Sequence, residues 1–362
     1  MSRRLAAFLA LSILASPAFA QGRSEAFLDL ASRLPAELLS GAGEHQYLSL
    51  TFSDIAATAP VMEALPPLAS SIEDYGPYAR LQTSLFTDTL RSGMNGAWDD
   101  YVGFNATDIE TALHIWAPPD EAVILRLAPE AAARVAPTLL ADGYAEETRD
   151  GIAALTRGED FGIDLSAEKT GEPFGALQGN ASRVVVEDDL LVQSNNWPRL
   201  ASLLDESPKG HPSLPALSAA LDDPRWGTAS LLELELWPDP DAFGPAVGGL
   251  PAWDLAAAAD LSDGVDTLTL ALFTYGDRAS AQAAADRLAT AWAAEADAQG
   301  RTFRDITGSE AEVAVLGDGP FVTVLALRAP TVAPPDDFPY NGPFRVLLMA
   351  RAQGQLGIFA PG

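Results

Sequence analysis

Residues 122–156 read AVILRLAPEAAARVAPTLLADGYAEETRDGIAALT. Ala122 to Leu127 is a short apolar run of strand length. Pro129 suits the first turn of a helix, where a missing N–H costs nothing, and that helix runs to Leu140 with Gly143 closing it. Tyr144 to Thr148 and Ile152 to Thr156 then flank Arg149-Asp150-Gly151, and Asp-Gly between two extended runs signals a tight hairpin. The order is strand, helix, antiparallel strands. Helices gathered on one face of an antiparallel sheet define an α+β architecture.

The pattern continues upstream. Phe27, Leu28, Leu30, Ala31, Leu34 and Leu38 recur at helical spacing between Glu25 and Leu39, broken by Pro35. Tyr47 to Phe52 reads as a strand and Asp54 to Leu65 as the helix after it, stopped by Pro66-Pro67. Tyr78 to Tyr101 reads as helical, with Gly93 and Gly96 as weak points. Within it and just beyond, Trp98, Tyr101 and Phe104 share a spacing that suits a core face. Thr107 and Glu110 fit a capping box, which predicts a helix ending at Pro118-Pro119.

Downstream, Arg183 to Val186 and Leu190 to Gln193 form a second hairpin around Glu187-Asp188-Asp189, and Pro198 to Leu204 returns as a helix. Ser207 to Pro215 is rich in proline, serine and glycine and reads as a linker. It divides an N-terminal α+β domain (21–206) from a C-terminal one (216–362). In the second, Leu232, Leu234 and Leu236 alternate with Glu233 and Glu235, the pattern of a strand with one wet face. Thr267 to Tyr275 is a strand and Arg278 to Gln299 the longest helix. Phe321 to Leu327, Phe344 to Met349 and Leu356 to Phe359 are expected to finish a sheet. Two antiparallel-sheet units with the same element order raise a distant duplication, although no residue-level repeat accompanies it.

The first twenty residues specify location. Arg3 and Arg4 precede an apolar stretch from Leu5 to Ala15, Ser16-Pro17 breaks it, and Ala18-Phe19-Ala20 offers small residues where a signal peptidase cuts. The stretch is too short to cross a hydrocarbon core of about 30 Å as a helix. The expected product is a soluble periplasmic protein beginning at Gln21, without a transmembrane anchor. The chain has no cysteine, which excludes disulfides, thiolate chemistry and a lipidated cysteine. Removing Arg3 and Arg4 takes the formal charge from -28 to -30. That sign repels nucleic acid and anionic headgroups and favours cations or basic partners. Scattered acids on a chain with only two lysines, Lys169 and Lys209, also serve solubility.

Motifs for chemistry are sparse. Ser166-Ala167-Glu168-Lys169 fits S-x-x-K, Lys169-Thr170-Gly171 fits K-T-G and Ser194-Asn195-Asn196 fits S-x-N, which superficially resembles the serine acyl-transfer enzymes of the penicillin-binding type. Lys169 would have to serve two motifs on opposite sides of a cleft, and the motif order is wrong, so the match is set aside. His45, His114 and His211 are too far apart in sequence for a paired zinc motif, and none announces a triad. Asp260, Asp263 and Asp266 around Gly264, and Glu159, Asp160 and Asp164 around Gly162, lack the register of a calcium loop and read as turns. No catalytic residue, metal ligand or cofactor is assigned.

Two features remain. Glu233 and Glu235 share one face of a strand and are the acids that a cofactor-independent hydrolase acting through paired carboxylates would use. The proline-bound loop Pro334 to Phe344 carries Phe338, Tyr340 and Phe344, which could contact a partner at low entropic cost or cover the core edge. The expectation is a non-catalytic accessory or binding module of the cell envelope, its partner an envelope protein or a small ligand, with the hydrolase as the alternative.

Overall fold

The computed structural model describes residues 22–40, 48–81, 89–165, 171–174, 179–205, 210–244, 249–294, 301–334 and 337–362. The expected export signal, His45, the S-x-x-K match, Lys209 and Asp336 lie outside the described residues.

Twelve strands form one antiparallel sheet: β1 (Ser49–Asp54), β2 (Ile109–Ala117), β3 (Asp120–Leu127), β4 (Ala145–Arg149), β5 (Ile152–Arg157), β6 (Ser182–Glu187), β7 (Leu190–Ser194), β8 (Ser230–Trp237), β9 (Ala256–Ser262), β10 (Asp266–Tyr275), β11 (Ala311–Leu316) and β12 (Phe321–Pro330). Their order is β11-β12-β10-β9-β8-β1-β2-β3-β7-β6-β5-β4. The fold is α+β. Strands β1 to β7 and β8 to β12 meet where β1 pairs with β8, Leu50 opposite Leu236 and Phe52 opposite Leu234, so the ladder is continuous across the two halves of the chain. In each half a three-stranded meander is followed by a helix, Pro129–Ala141 or Arg278–Ala294, and by strands that return beside the third strand.

Helices cover both faces of the sheet rather than one. On the first face Leu50, Phe52, Leu113, Ile115, Leu234 and Leu236 join one apolar core with the helices Glu25–Ala31, Trp197–Leu204 and Leu214–Leu221. On the second face there are two cores. One holds Trp98, Phe104, Leu125 and Val135 beneath Pro129–Ala141, and the other holds Trp237, Phe273, Leu288 and Phe344 beneath Arg278–Ala294 and Gly342–Ala352.

Several local readings are corrected. The helix expected after Thr107 is strand β2: the capping box is formed by Asn105 and Asp108 over a single 3-10 turn, Ala106–Asp108. After an irregularity between Ile109 and Thr111 the residues alternate between faces, and β2 pairs with both β1 and β3. Two-sided ladder pairing outweighs a local cap signal. Among the described residues, the stretch from Tyr78 to Tyr101 holds the end of a 3-10 segment, Gly76–Arg80, and two short helices, Leu90–Met94 and Asp99–Val102, in place of one helix. Gly93 has a packing role, since a Cβ there would fall 2.6 Å from the Trp98 ring. Phe344 to Met349 is not a strand: it lies in the helix Gly342–Ala352, whose cap is Asn341 accepting from the Phe344 N–H. Leu356 to Phe359 is a turn. Strands β9 and β11 have weak sequence signals: Ala256-Ala257-Ala258-Ala259 carries no β-branched or aromatic residue, and Ala311–Leu316 is an edge strand only partly buried.

Candidate functional site

The two glutamates of β8 do share a face, and that face is not wet. Glu233 is fully buried and Glu235 nearly so. The register places Ser53 opposite Glu233 and Thr51 opposite Glu235 on β1, and Asp260 opposite Glu233 on β9. These side chains form a polar layer between the two apolar cores of the second face. Leu234 between them and Leu236 beyond point the other way, into the core of the first face.

The layer is closed by cations from outside the sheet. Arg80, the last residue of the segment Gly76–Arg80, is wholly buried and grips Asp260 with two N–H groups, at 2.6 and 3.2 Å. Asn341 donates to the same carboxylate at 2.8 Å and accepts from Thr269 on β10 at 3.0 Å. Arg351, from the helix Gly342–Ala352, donates to Glu235 and lies 5.9 Å over the Trp237 ring. Burial pushes the Glu235 carboxyl above its usual range, against the pull of Arg351. A third pair follows the same rule in the N-terminal half, where Arg157 donates to Glu172 at 3.0 Å. Burial again raises the carboxyl, with Arg157 opposing. A buried carboxylate held by a guanidinium is an acceptor already in use, and general-base work needs one free to take a proton.

Asp54 differs. It caps the helix Ile55–Glu63 by accepting from the Ala57 N–H at 2.7 Å, and burial raises its carboxyl to about 6, the cap bond opposing and nearby Glu110 adding to the rise. It lines a groove of about 990 Å³ with Arg23, Asp29, Arg126 and Asp222. These charged groups are engaged with the protein. Arg126 binds Asp29 and Asp189, Arg23 donates to the carbonyls of Ala229 and Gly227, and Asp222 accepts from Ser24.

The proline-bound loop divides its three aromatics. Phe344 is fully buried in a core. Phe338 is 41% exposed, its ring edge-on to Tyr75 at 5.2 Å. Tyr340 is half-buried beneath the Arg345 guanidinium. The histidines are separate: His114 sits on β2 with Nε2 3.5 Å from Glu121, and His211 Nδ1 accepts from the Ser213 N–H. Asp260 belongs to the buried layer while Asp263 accepts from the Val265 and Asp266 N–H groups, so that acid run splits between core and turn. Among the described residues no group of three or more metal-ligating side chains is gathered.

A surface site emerges that no sequence motif marks. Trp116, Phe161 and Ile163 are 43%, 45% and 62% exposed and wall a notch of about 230 Å³. Trp116, next to last in β2, lies directly opposite Glu121 on β3. Phe161 has φ +57°, a left-handed conformation that costs a non-glycine residue about 1–2 kcal/mol. Its backbone is pinned by its N–H to the Asn195 carbonyl at 3.2 Å and by Gly162 N–H to the Glu159 carbonyl at 2.8 Å. The alternation in β2 puts Trp116 and His114 on one face, a signal that the helix-like cap before the strand obscures in the sequence.

No family model and no curated protein matches the chain. Two solved structures with weak similarity are crystal forms I and III of TP0453, at TM-scores of 0.34 and 0.32 and identities of 11% and 7%. The alignments cover 90% and 88% of this chain and 99% and 98% of those chains. Likeness at this level carries no argument about function. Among the described residues no helix is long and apolar enough to cross a membrane.

Proposed function

We propose that this chain is a non-catalytic binding module of the cell envelope, exported to the periplasm with cleavage after Ala20. The observation that carries it is the exposed apolar notch of Trp116, Phe161 and Ile163, with Phe161 held in a costly backbone conformation. Strained residues presenting side chains to solvent cluster at functional sites. The engagement of Glu235 by Arg351 argues against the hydrolase alternative, because one member of the Glu233 and Glu235 pair it would use is already held by a cation. The loop bearing Phe338 and Tyr340 is proposed as a secondary contact, with Phe344 as its anchor in the core. The matching strand-and-helix order of the two halves supports descent from one unit, with the joint at residues 207–215.

The test places a photo-crosslinking amino acid at Ile163 or, as a remote control, at Val265, which is also exposed. The protein is produced from its own leader in a Gram-negative cell. A discrete adduct from the osmotic-shock fraction at position 163 and not at 265, on a chain beginning at Gln21, is expected. Adducts at neither position, or equally at both, overturn the binding reading. A chain retaining Met1 in washed membranes overturns the export reading.

A further inference from the structure

We infer that the notch walled by Trp116, Phe161 and Ile163 receives a single apolar side chain from a partner segment in which that side chain is flanked by arginine or lysine. This rests on the binding-module reading and specifies its partner.

Size comes first. At about 230 Å³ the notch falls below the range of roughly 300–1,000 Å³ in which small-molecule pockets bury their ligands. It is the scale of one anchor side chain, the way interfaces seat their hot-spot residues. Its walls are two aromatic rings and a branched aliphatic, rigid groups that lose little entropy when covered.

Charge decides the flanks. The described lining includes Asp120 and Glu121 and no lysine or arginine. Asp120 is engaged by Arg199 at 2.8 Å. Glu121 is half exposed, with the His114 imidazole 3.5 Å away as its neighbour, and it stands directly across the ladder from Trp116. An apolar socket with an acid on its rim suits a basic residue beside the incoming side chain. The field of a chain at -28 steers basic segments toward the surface and repels acidic ones. The same field disfavours a second copy of this chain and an anionic membrane.

The experiment follows the indole N–H resonance of Trp116 by NMR in the full mature protein, assigned with Trp116→Phe. The probes are blocked heptapeptides, Gly-Ser-Arg-Phe-Arg-Ser-Gly and its versions with Ser for Phe or with Glu for both Arg. The Arg-Phe-Arg peptide should shift the resonance saturably. Loss of the ring should abolish the shift, and reversing both charges should weaken binding about tenfold. Glu121→Gln should weaken it about threefold, the scale of one exposed charge pair, and the effect should shrink as salt rises. Ile163→Ser, at an exposed position, should weaken binding while leaving the remaining indole resonances in place. Equal binding of the Glu-Phe-Glu peptide overturns the inference. So does a Trp116 shift with phosphatidylcholine vesicles in place of peptide, or a concentration-dependent dimer abolished by Ile163→Ser. If position 163 crosslinks to a cellular partner and the basic peptide does not bind, the partner chemistry is wrong and the binding module stands. If neither occurs, both fall.

Discussion

Replacing Arg80 with methionine should cost about 3–5 kcal/mol, because it leaves the Asp260 carboxylate buried without its cation. Both side chains are fully buried, and the pair is bidentate. Asn341, itself held by Thr269, would remain as a neutral partner, too weak to replace a full charge. The loss is a large share of the roughly 5–15 kcal/mol that a folded domain retains. Part of the cost passes to the helix Gly342–Ala352, since the Asn341 side chain that caps it is held by Asp260, and a cap is worth about 1 kcal/mol. Urea titration followed by tryptophan fluorescence reads the total. The double variant Arg80→Met with Asp260→Leu removes both charges and should recover at least about 2 kcal/mol relative to the sum of the single losses. A single-variant cost below about 1 kcal/mol, or strict additivity in the cycle, would refute the reasoning.

Asp54→Asn should keep the helix cap and remove a buried ionisation. A carboxyl raised to about 6 in the fold contributes stability that is complete below its unfolded pKa near 4 and lost as pH rises through 6. The variant should therefore gain about 1–2 kcal/mol at pH 7, after discounting for partial exposure, and nothing near pH 3; a gain that grows on acidification would contradict the sign. Phe338→Ala with Tyr340→Ala should cost about 1 kcal/mol or less, whereas Phe344→Ala should cost roughly 3–5 kcal/mol, as a ring lost from a core does; denaturant titration of the three variants separates them. Proteolysis between Ser207 and Pro215 should leave the two fragments associated on size exclusion, since the β1–β8 ladder and the Arg80–Asp260 pair join them. Separation of the fragments without denaturant would show that these contacts are too weak to hold the halves.

The α+β class, both hairpins, the helix from Pro129 and the long helix from Arg278 follow from the sequence by itself, because period, turn chemistry and caps act within a few residues. Asp150-Gly151 needs no distant partner to make a hairpin, and Pro129 none to open a helix. The short apolar segment at the N-terminus and the absence of cysteine likewise set expectations of export without any fold. Tertiary structure alone decided the rest. Alternating Leu and Glu on β8 is the same string whether that face meets water or protein, and only the approach of Arg80 to Asp260 and of Arg351 to Glu235 made it an interior. Strand β2 overrode a helix-like cap because two neighbours completed its hydrogen bonds. Phe344 went to the core and Phe338 to the surface although one loop carries both. The notch joins Trp116 to Phe161 and Ile163, 45 and 47 positions further along the chain, and such a surface exists only once the β2–β3 turn and the segment after β5 are folded together. Local signals fix local geometry, while burial, ion pairing and surface shape are properties of residues that sequence keeps apart.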